Sequence, residues 1–475
     1  MGATWALMAA VPGCRRARPD GETEQRDLDP VAFTRRLAIP PLAASTVEED
    51  GTRVFDLHMQ AGETEFTPGR KTTTWGFNGC YLGPTLRATR GETVRVRVTN
   101  GLDEDSTVHW HGMHVPADMD GGPHQMIRPG GSWAPHWTVE QPAATLWYHP
   151  HPHGATARHV QQGLAGMFIL DDEASGLRFP HTYGRDDVPL IVRDVPFGGT
   201  GSGAGRNESG GTAFLVNGTL EPHHEVRDET VRLRLLNASA SHVYSFGFAD
   251  KDFILIGTDG GLLTAPTPLE ILQLSPGERA EIIVRMRPGE RSVLRHSSSN
   301  PSRGNRPDAS SPGVLELRAA AELRPSATLP AKMALLDLPH AKDSSHERDF
   351  VLRMPGINGG SMDMARIDVS VVRGTTETWI VRNEDGMAHN FHVHDVQFRV
   401  ISVNDEDPPP ELRGPKDTVF VPSGASVKLV VRFQGPADPN TPYMYHCHLL
   451  PHEDSGMMGQ FVVVEASSDP PSTYP

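Results

Sequence analysis

Closely spaced histidines are the residues of this chain best suited to chemistry. Among its 23 histidines are four His-x-His pairs, two near the start of the chain and two near its end: His109 and His111, His149 and His151, His392 and His394, and His446 and His448. Because residues i and i+2 of a strand point to the same face, each pair offers two imidazoles to one metal ion or to two adjacent ions. Imidazole is a ligand for copper, zinc, iron and nickel. One pair alone is equally compatible with polar packing on a half-buried strand, whereas four pairs favour a metal site.

The last pair lies in a segment that narrows the choice of metal. Cys447, His452 and Met457 follow a C-x4-H-x4-M spacing, and His389 upstream supplies a second imidazole. Two histidines, one cysteine and a weakly bound methionine form the ligand set of a blue-copper electron-transfer centre. The spacing therefore predicts a copper site made of these four residues.

The tripeptide His446-Cys447-His448 predicts a covalent connection between this copper site and a second site. If Cys447 points to the copper, alternation along a strand turns His446 and His448 to the opposite side. The eight paired imidazoles divide as three, three and two, which is enough for three more copper ions with open positions for oxygen. Four one-electron ions would together store the four electrons that reduce O2 to two molecules of water.

A chain rich in turns must position these side chains. Its 475 residues include 47 Gly and 41 Pro, too many helix breakers for a long-helix protein. Segments 93–99 and 230–236 alternate polar with apolar residues at period two, which predicts half-buried strands. The sequence thus indicates a mostly β protein of about three domains at roughly 150 residues each.

A repeated phrase divides the chain into three related parts. An Asn-Gly turn precedes a second turn and then an alternating strand that ends in asparagine, at residues 77–100, 216–237 and 357–383. The copies are a domain length apart, so we predict three homologous β-sandwich modules. Their predicted ranges are 37–172, 185–320 and 345–467, preceded by an N-terminal extension or remnant export signal at 1–36.

Charge and cysteine content exclude several classes of protein. The net charge is −15, from 59 acidic and 44 basic residues without a basic stripe, so no nucleic-acid partner is expected. Three cysteines cannot form a disulfide framework. No apolar run reaches the roughly 18 residues of a membrane-spanning helix, so no transmembrane segment is predicted.

The first residues leave two locations open. Residues 1–14 are apolar and end in small residues before Cys14, but they lack the basic start of a secretory signal. They are compatible with the tail of an export or lipoprotein signal, with Cys14 as a lipid anchor, and also with a disordered extension of a cytosolic protein. A secreted or cell-envelope location is the expectation carried forward.

The histidine-rich segments resemble the four copper-binding signatures of the three-domain multicopper oxidases, a family that includes laccases, bilirubin oxidases and bacterial copper-tolerance oxidases. The matching segments are HWHG at 109–112, WYHPH at 147–151, HNFHVH at 389–394 and HCHLLPHEDSGMM at 446–458. The resemblance extends over nearly the whole chain from about residue 37. It implies an all-β fold of three cupredoxin-like Greek-key sandwiches, with a trinuclear copper cluster between the first and third and a copper-free second domain as scaffold.

The same resemblance implies a role for each ligand of four copper ions, one of type 1, one of type 2 and two of type 3. His389, Cys447, His452 and Met457 resemble the type 1 ligands. His109 and His392 resemble the type 2 ligands, and the type 3 ligands are expected to be His111, His149, His151, His394, His446 and His448.

Two acids resemble the proton-relay carboxylates of bacterial members of the family. Asp120 lies in the segment MDGGP, and Glu453 directly follows His452. Reduction of O2 to water consumes four protons, which a carboxyl group near buried copper would deliver. The alternative is structural: Asp120 would stabilise the Gly-Gly turn, and Glu453 would be solvated.

The resemblance predicts an oxidase that takes single electrons from a phenol or aromatic amine through His452, passes them through Cys447 and reduces O2. A metallo-oxidase acting on Cu(I), Mn(II) or Fe(II) is one alternative, which would require acids or methionines outside the type 1 site. The long Met-rich insertion of some cuprous oxidases is absent, since segment 330–365 contains only Met333, Met354, Met362 and Met364. A copper-free cupredoxin-like envelope protein is the other alternative, against which the complete ligand set argues.

Overall fold

The computed structural model of the chain describes residues 33–173, 179–194, 213–297, 306–333 and 337–466. The predictions about an export signal and a lipid anchor at Cys14 lie outside the described residues. Among the helices of these ranges, none combines the length and the apolar character needed to cross a membrane. Within the described residues the chain folds as three β-sandwiches.

The first sandwich carries the strands that present the first two histidine pairs. Its strands are β1 (Ser45–Val47), β2 (Arg53–Thr67), β3 (Arg70–Phe77), β4 (Leu86–Thr89), β5 (Thr93–Asn100), β6 (His109–His111), β7 (Ser132–Trp133), β8 (His136–Thr138), β9 (Ala144–His149) and β10 (Gly166–Asp171), and helix α1 (Thr156–Gln162) precedes β10. One sheet has the order β1-β2-β5-β7, with β3 paired to β2 and β8 to β5. The facing sheet has the order β4-β10-β9-β6.

The second sandwich lies between the other two in sequence. Its strands are β11 (Asp187–Asp194), β12 (Phe214–Val216), β13 (Thr219–Leu220), β14 (His223–Asp228), β15 (Thr230–Asn237), β16 (Tyr244–Phe248), β17 (Phe253–Thr258), β18 (Gly261–Leu269), β19 (Ile271–Leu274), β20 (Arg279–Arg285), β21 (Arg291–His296) and β22 (Gly313–Arg324). The sheets have the orders β13-β12-β11-β15-β20-β17-β18 and β14-β22-β21-β16-β19.

The third sandwich carries the other two histidine pairs and Cys447. Its strands are β23 (Ser344–Arg353), β24 (Gly356–Ile357), β25 (Val369–Val372), β26 (Thr376–Asn383), β27 (His389–Val393), β28 (Phe398–Val403), β29 (Thr418–Val421), β30 (Ser426–Arg432), β31 (Asp438–His446) and β32 (Met458–Val464), and helix α2 (Leu450–Asp454) precedes β32. The sheets have the orders β24-β23-β26-β30-β28 and β25-β32-β31-β27-β29.

The three sandwiches share one topology. In the first, β2 pairs in parallel with β5 and β4 with β10; the second repeats this as β11 with β15 and β14 with β22, and the third as β23 with β26 and β25 with β32. Parallel pairing of strands that are not consecutive fits Greek-key connections, in which a strand returns over a long distance. Each sandwich also has its own buried apolar cluster. The prediction of an all-β fold with three related sandwiches is confirmed.

The asparagine of each Asn-Gly turn explains why the phrase recurs. Asn78, Asn217 and Asn358 adopt positive φ angles of 57°, 50° and 53°. In each case the side-chain oxygen accepts a backbone N–H of a neighbouring strand, from His58, Ile191 and Val351 at 2.7, 2.8 and 2.7 Å respectively. Asparagine tolerates this left-handed conformation better than most residues because its amide bonds locally to the backbone. The repeat therefore encodes one turn geometry three times.

Strand β15 differs from its sequence prediction. The alternation in segment 230–236 predicts a half-buried strand, but every residue of β15 is buried, including the polar Thr230, Arg232 and Arg234. Arg234 donates to Asp187 at 2.6 and 3.0 Å and to Thr145 of the first sandwich at 2.8 Å. The polar face is covered because the first sandwich packs on it, and ion pairs satisfy the buried charges.

The segment before β1 joins the second sandwich. The backbone N–H of Leu37 donates to the carbonyl of His223 at 2.7 Å, and the His223 imidazole lies 2.9 Å from the carbonyl of Phe33. The Leu37 side chain belongs to the apolar core of the second sandwich. The module boundaries at residues 37, 185 and 345 stay predictions.

Candidate metal centre

A triangle of ligand atoms lies within the third sandwich. Cys447 Sγ is 3.6 Å from Nδ1 of both His389 and His452, and these two nitrogens are 3.0 Å apart. His389 begins β27, Cys447 directly follows β31, and His452 lies on α2. His389 and Cys447 are fully buried, whereas His452 is partly exposed. One edge of the triangle therefore faces the surface through His452.

The surroundings of the triangle fit a metal ion. Asp385 Oδ2 lies 3.3 Å from His389 Nε2, which leaves Nδ1 of this ring free for a ligand bond. Burial raises the pKa of the Cys447 thiol to about 12, so the thiolate needs a nearby positive charge. Met457 is fully buried, and its carbonyl accepts the N–H of Cys447 at 3.1 Å.

The eight histidines of the four His-x-His pairs meet between the first and third sandwiches. Four come from β6 and from the end of β9 and the turn after it, and four come from β27, from the end of β31 and from the residues that follow these strands. All eight are at most 1% exposed. Burial lowers the pKa of seven of these imidazoles, to about 3 for two of them, so they present neutral nitrogens; the seven are His111, His149, His151, His392, His394, His446 and His448.

Three of the eight rings converge in one group. His149 Nε2 lies 3.4 Å from His111 Nδ1 and 3.5 Å from His448 Nε2. His149 Nδ1 donates to the carbonyl of Pro150 at 2.9 Å, so the Nε2 atom that faces the other two rings carries no proton. This group joins two histidines of the first sandwich to one of the third.

A second group of three rings takes most of its histidines from the third sandwich. His446 Nε2 lies 3.1 Å from His151 Nε2 and 3.2 Å from His394 Nε2. His394 donates through Nδ1 to Asp120 at 2.7 Å, so its Nε2 is an unprotonated acceptor. One histidine here belongs to the first sandwich and two to the third.

The remaining pair has nitrogen atoms without a partner. Within the described ranges, Nε2 of His109 and Nε2 of His392 are buried and make no hydrogen bond. A buried polar atom without a partner is costly unless a ligand satisfies it. Each ring stacks at 3.8 Å on a histidine from the other sandwich, His109 on His394 and His392 on His111.

Two aspartates orient four of these rings in a similar way. The carbonyl oxygen of Asp120 lies 3.0 Å from His109 Nδ1, and its carboxylate accepts from His394 of the third sandwich. The carbonyl oxygen of Asp417 lies 2.9 Å from His392 Nδ1, and its carboxylate lies 3.1 Å from His111 Nε2 of the first sandwich. Each aspartate thus holds one ring of its own sandwich and one ring across the interface.

Glu453 is buried against the second group of rings. Its carboxyl oxygens lie 3.3 Å from His446 Nδ1 and 3.5 Å from His151 Nδ1. Burial raises the pKa of this carboxyl group well above its usual range. Glu453 is 1% exposed, so the alternative that it is solvated is wrong.

The residues present fit bound metal. Several unprotonated ring nitrogens face one another at 3.1–3.5 Å. Beside them lie Nε2 of His109 and Nε2 of His392, which make no hydrogen bond to any residue that the structure describes. Lone pairs at this distance repel each other unless a cation lies between them. Neutral imidazole is the form that binds metal. The histidines predicted from the sequence are therefore brought together in the arrangement that metal binding requires.

Several residues of the centre had no sequence signal. Asp417 lies 306 residues from the histidine that its carboxylate contacts. Asn390, between the two histidines HNFH, accepts the N–H of His448 at 2.6 Å through its side-chain oxygen. Gly277 of the second sandwich lines the rings of His111 and His448, where an added Cβ would come within 3.2 Å of both. Asn390 lies inside the segment HNFHVH, but no motif or spacing links Asp417 or Gly277 to the histidines.

Three sandwiches with a buried His and Cys centre define a cupredoxin-like copper protein. Family models described as multicopper oxidase match residues 58–175, 172–305 and 328–467. The multicopper oxidase mco of Staphylococcus haemolyticus is 33% identical over 449 residues, which cover 93% of this chain and 95% of the relative. The chain belongs to the multicopper oxidase family and is a copper-dependent oxidoreductase that uses O2.

Other relatives carry different names. The cell division protein FtsP of Escherichia coli is 38% identical over 442 residues, covering 90% of this chain and 92% of the relative. A crystal structure of laccase from Pediococcus acidilactici has a TM-score of 0.80 and 31% identity, covering 90% of this chain and 94% of that one. The Campylobacter jejuni multicopper oxidase, titled a metallo-oxidase, has a TM-score of 0.77 and 28% identity, covering 92% and 97%.

Proposed function

We propose that this protein couples the one-electron oxidation of a phenolic or aromatic-amine donor to the four-electron reduction of O2 to water. The donor site is the triangle of His389, Cys447 and His452, with Met457 as the distant ligand of a type 1 copper. The oxygen site is the eight-histidine cluster, which would hold one type 2 and two type 3 copper ions.

The tripeptide His446-Cys447-His448 is the observation that carries this proposal. Cys447 Sγ is one corner of the triangle and lies 3.6 Å from the Nδ1 atoms of His389 and His452. The rings of His446 and His448 belong to two different groups of the eight-histidine cluster, each within about 3.5 Å of a histidine of the first sandwich. One covalent segment thus spans the donor site and the oxygen site, which is what rapid electron transfer between them requires.

The ligand roles follow from the free ring nitrogens. His109 and His392 would hold the type 2 ion through Nε2, and the groups His111, His149, His448 and His151, His394, His446 would each hold one type 3 ion. When bound, copper would supply the one-electron redox chemistry. The protein supplies neutral rings of fixed orientation and excludes bulk water, since all eight histidines are buried.

Asp120 and Glu453 would hold the protons that O2 reduction consumes. Each carboxyl group contacts rings from both the first and the third sandwich, so each lies at the interface where O2 would be bound. A positioned carboxyl group near the reacting oxygen acts as a general acid. Asp120 also lies in the Gly-Gly turn, so the structural and proton-relay roles are compatible.

The partly exposed His452 is the proposed point of electron entry from an organic donor. It is one of the three ligand residues of the triangle and the only one among them that is not fully buried. The laccase name of the Pediococcus acidilactici structure is consistent with a phenolic donor.

A metal ion is the second candidate donor, and Asp385 favours it. Its carboxylate touches His389 at 3.3 Å and accepts the N–H of Met354 at 2.9 Å. Met387, two residues further along the chain, is 47% exposed. Met387 also precedes the ligand His389 by only two residues, and an exposed thioether suits a soft cation such as Cu(I), whereas a carboxylate suits a harder ion such as Mn(II). The Campylobacter jejuni structure is titled a metallo-oxidase.

Copper-loaded protein tests the proposal directly. We expect an intense blue absorption band and oxygen uptake with a phenol, measured in parallel with Cu(I), Mn(II) and Fe(II). Cys447→Ser should lose the band and the oxygen uptake together, because the thiolate ligand is gone. Cys80→Ser is the matched control, since Cys80 is exposed and lies outside the centre.

The outcomes separate the candidates. Uptake with phenol above that with metal ions supports the laccase-like function, and the reverse supports the metallo-oxidase. A colourless wild-type protein that holds fewer than two copper ions per chain would contradict both and favour a copper-free envelope protein.

We infer a location outside the cytoplasm from the apolar segment at residues 1–14. Cell fractionation with an antibody to the chain tests this, and protein found only in the cytosolic fraction would refute it. Substitution Cys14→Ser should release the protein from membranes if the cysteine is lipidated.

A further inference from the structure

The turn Ser275–Arg279 of the second sandwich reaches the metal centre, although none of the proposed copper ligands belongs to this sandwich. The turn connects β19 to β20, and Gly277 has a φ of 86°, in the left-handed region that favours glycine. A Cβ at this position would lie 3.1 Å from His448 Nδ1 and 3.2 Å from His111 Cε1. The turn therefore forms one wall of the eight-histidine cluster.

Arg279 at the end of this turn joins all three sandwiches. Its guanidinium donates to both carboxylate oxygens of Asp417 at 2.7 Å and to the carbonyl of Thr145 at 3.0 Å. The remaining donors reach the carbonyls of Gly277 and Asp259 at 3.1 and 3.0 Å. All five N–H groups of the guanidinium are used, and the side chain is 0% exposed. This network of hydrogen bonds fixes the position of the Asp417 carboxylate.

Asp417 in turn orients a histidine ring of the metal centre. Its Oδ1 lies 3.1 Å from His111 Nε2, so that this nitrogen is the donor and Nδ1 is left facing the cluster. The Thr418 hydroxyl also donates to Oδ1 at 2.9 Å. The ring of His111 is therefore oriented by a carboxylate that an arginine of the second sandwich holds in place.

The second sandwich also fixes segment 416–418 through ion pairs and hydrogen bonds. Lys416 Nζ donates to Asp259 at 2.9 Å and to Glu278 at 2.7 Å. Asp259 Oδ2 also lies 3.3 Å from the backbone N–H groups of Asp417 and Thr418. The carbonyl oxygen of Asp417, which accepts from His392, is thereby fixed as well.

We propose that Arg279 is a positioning residue of the metal centre: by fixing Asp417 it holds His111 with Nδ1 directed into the eight-histidine cluster. The inference rests on the proposed function, because it assumes that the cluster binds copper. It assigns the second sandwich a part in metal binding beyond that of a scaffold. An outer partner of a ligand histidine typically contributes about 10–100-fold to metal affinity.

The chain offers a matched control for a purely structural effect. Arg234 is 2% exposed, lies on the neighbouring β15, and donates to both oxygens of Asp187 at 2.6 and 3.0 Å. It contacts Thr145 of the first sandwich, as Arg279 does, and it also donates to Glu281 at 2.9 Å, but neither of its carboxylate partners touches a histidine of the cluster among the described contacts. Arg234→Lys therefore breaks a comparable buried pair away from the metal.

The experiment compares Arg279→Lys, Arg234→Lys and the wild type as full-length, copper-loaded proteins. Each is dialysed against a graded series of a copper chelator, and copper per chain, the blue absorption and the electron paramagnetic resonance of the non-blue copper are recorded. We expect Arg279→Lys to release non-blue copper at an about 10–100-fold lower chelator concentration than the other two. Its blue absorption should persist, because the triangle of ligands does not contact Arg279.

Two results would overturn the inference. One is release of non-blue copper from Arg279→Lys at the same chelator concentration as from Arg234→Lys; the other is loss of blue and non-blue copper together. Wild-type protein that takes up no copper would instead overturn the proposed function, and this inference with it. If Arg279→Lys does not fold, Asp417→Asn with Asp187→Asn as its control tests the same link, since both substitutions preserve side-chain size.

Discussion

At the scale of single residues, the centre depends on which nitrogen of each ring carries the proton. Carbonyl oxygens of Pro150, Asp120 and Asp417 accept from Nδ1 of three histidines and leave Nε2 free. The carboxylate of Asp417 does the opposite for His111, whose Nδ1 is left free. Histidine is thus used with either Nε2 or Nδ1 free, and the hydrogen-bond partner of the other nitrogen decides which one.

Asp120 is the residue whose substitution separates proton delivery from electron entry. Asp120→Asn preserves an oxygen that accepts from His394, but the amide cannot donate a carboxyl proton. We expect reoxidation of the reduced cluster to slow by about 100-fold or more, with the blue absorption intact. Stopped-flow mixing with O2 measures the rate, and Asp118→Asn, an exposed acid two residues earlier, is the control. An unchanged oxygen-consumption rate would exclude the role.

His159 predicts an acid-sensitive stability that is independent of metal binding. Burial lowers its pKa from 6.5 to about 4, and its ring packs on Trp75 and lies 3.0 Å from Ser106. Because the folded pKa is below the unfolded one, the unfolded chain takes up the proton first as pH falls. Stability is therefore fully present above pH 6.5 and is lost as pH falls from there towards 4.

The matching variant is His159→Gln. Between pH 8 and pH 5 the wild type should lose about 2 kcal/mol more unfolding free energy than the variant, since one pKa unit is worth about 1.4 kcal/mol. Urea unfolding of the copper-loaded proteins at both pH values measures the difference. Equal losses in the two proteins would show that His159 does not carry the effect.

At the scale of elements, the repeated asparagines define how each sandwich is closed. Asn100, Asn237 and Asn383 end the alternating strands β5, β15 and β26, and their amides donate to the carbonyls of Ile127, Leu274 and Val421 at 2.8, 2.8 and 2.9 Å. Together with the asparagines of the Asn-Gly turns, they tie the alternating strand of each sandwich to its neighbours. The sequence repeat is therefore a repeat of hydrogen bonds.

Asn217 is the most buried asparagine of the Asn-Gly turns, and its substitution should be the most costly. Asn217→Ala leaves the N–H of Ile191 and the carbonyls of Pro189 and Ala38 without their amide partner, and forces alanine into a positive φ. We expect a loss of about 2–4 kcal/mol from unpaired buried groups and backbone strain.

Two further variants separate these causes. Asn217→Gly removes the hydrogen bonds without the strain and should be about 1 kcal/mol less damaging than Asn217→Ala. Asn358→Ala makes the equivalent change at an exposed turn, where water replaces the amide, and should cost less. Thermal unfolding measures all three, and an equal loss at positions 217 and 358 would contradict the role of burial.

At the scale of the whole molecule, the metal centre lies at the junction of sandwiches that are far apart in sequence. Each group of converging rings contains histidines of both the first and the third sandwich, and the second sandwich forms a wall against the first group. Ligand binding at such a junction stabilises the assembled arrangement of domains because only that arrangement binds the metal.

Removal of copper should therefore lower the thermal stability of the protein. At a copper concentration 100-fold above the dissociation constant, bound copper contributes about 2.7 kcal/mol per site. Scanning calorimetry of loaded, chelator-treated and copper-restored protein measures the shift. We expect the unfolding midpoint to fall on chelation and to recover on reloading, and identical midpoints in all three samples would refute the linkage.

Much of the fold and of the candidate ligand set is readable from local sequence. The i, i+2 spacing of the histidine pairs, the position of Cys447 between two of them, and the Asn-Gly repeat are short-range features, and the physics of a strand or turn acts over a few residues. The ligand roles themselves stay predictions. Spacing within a few residues therefore identifies most of the candidate ligands, although it does not show how they meet.

Only the tertiary structure decided how these parts are held together. The burial of Arg234 on β15, the contact of Asp417 with His111, and the approach of Gly277 to two rings all depend on how three sandwiches pack. The two hydrogen bonds among these contacts join residues 89 and 306 positions apart, and no periodicity encodes them. They arise because a buried charge or ring nitrogen must find a partner wherever the packed domains place one.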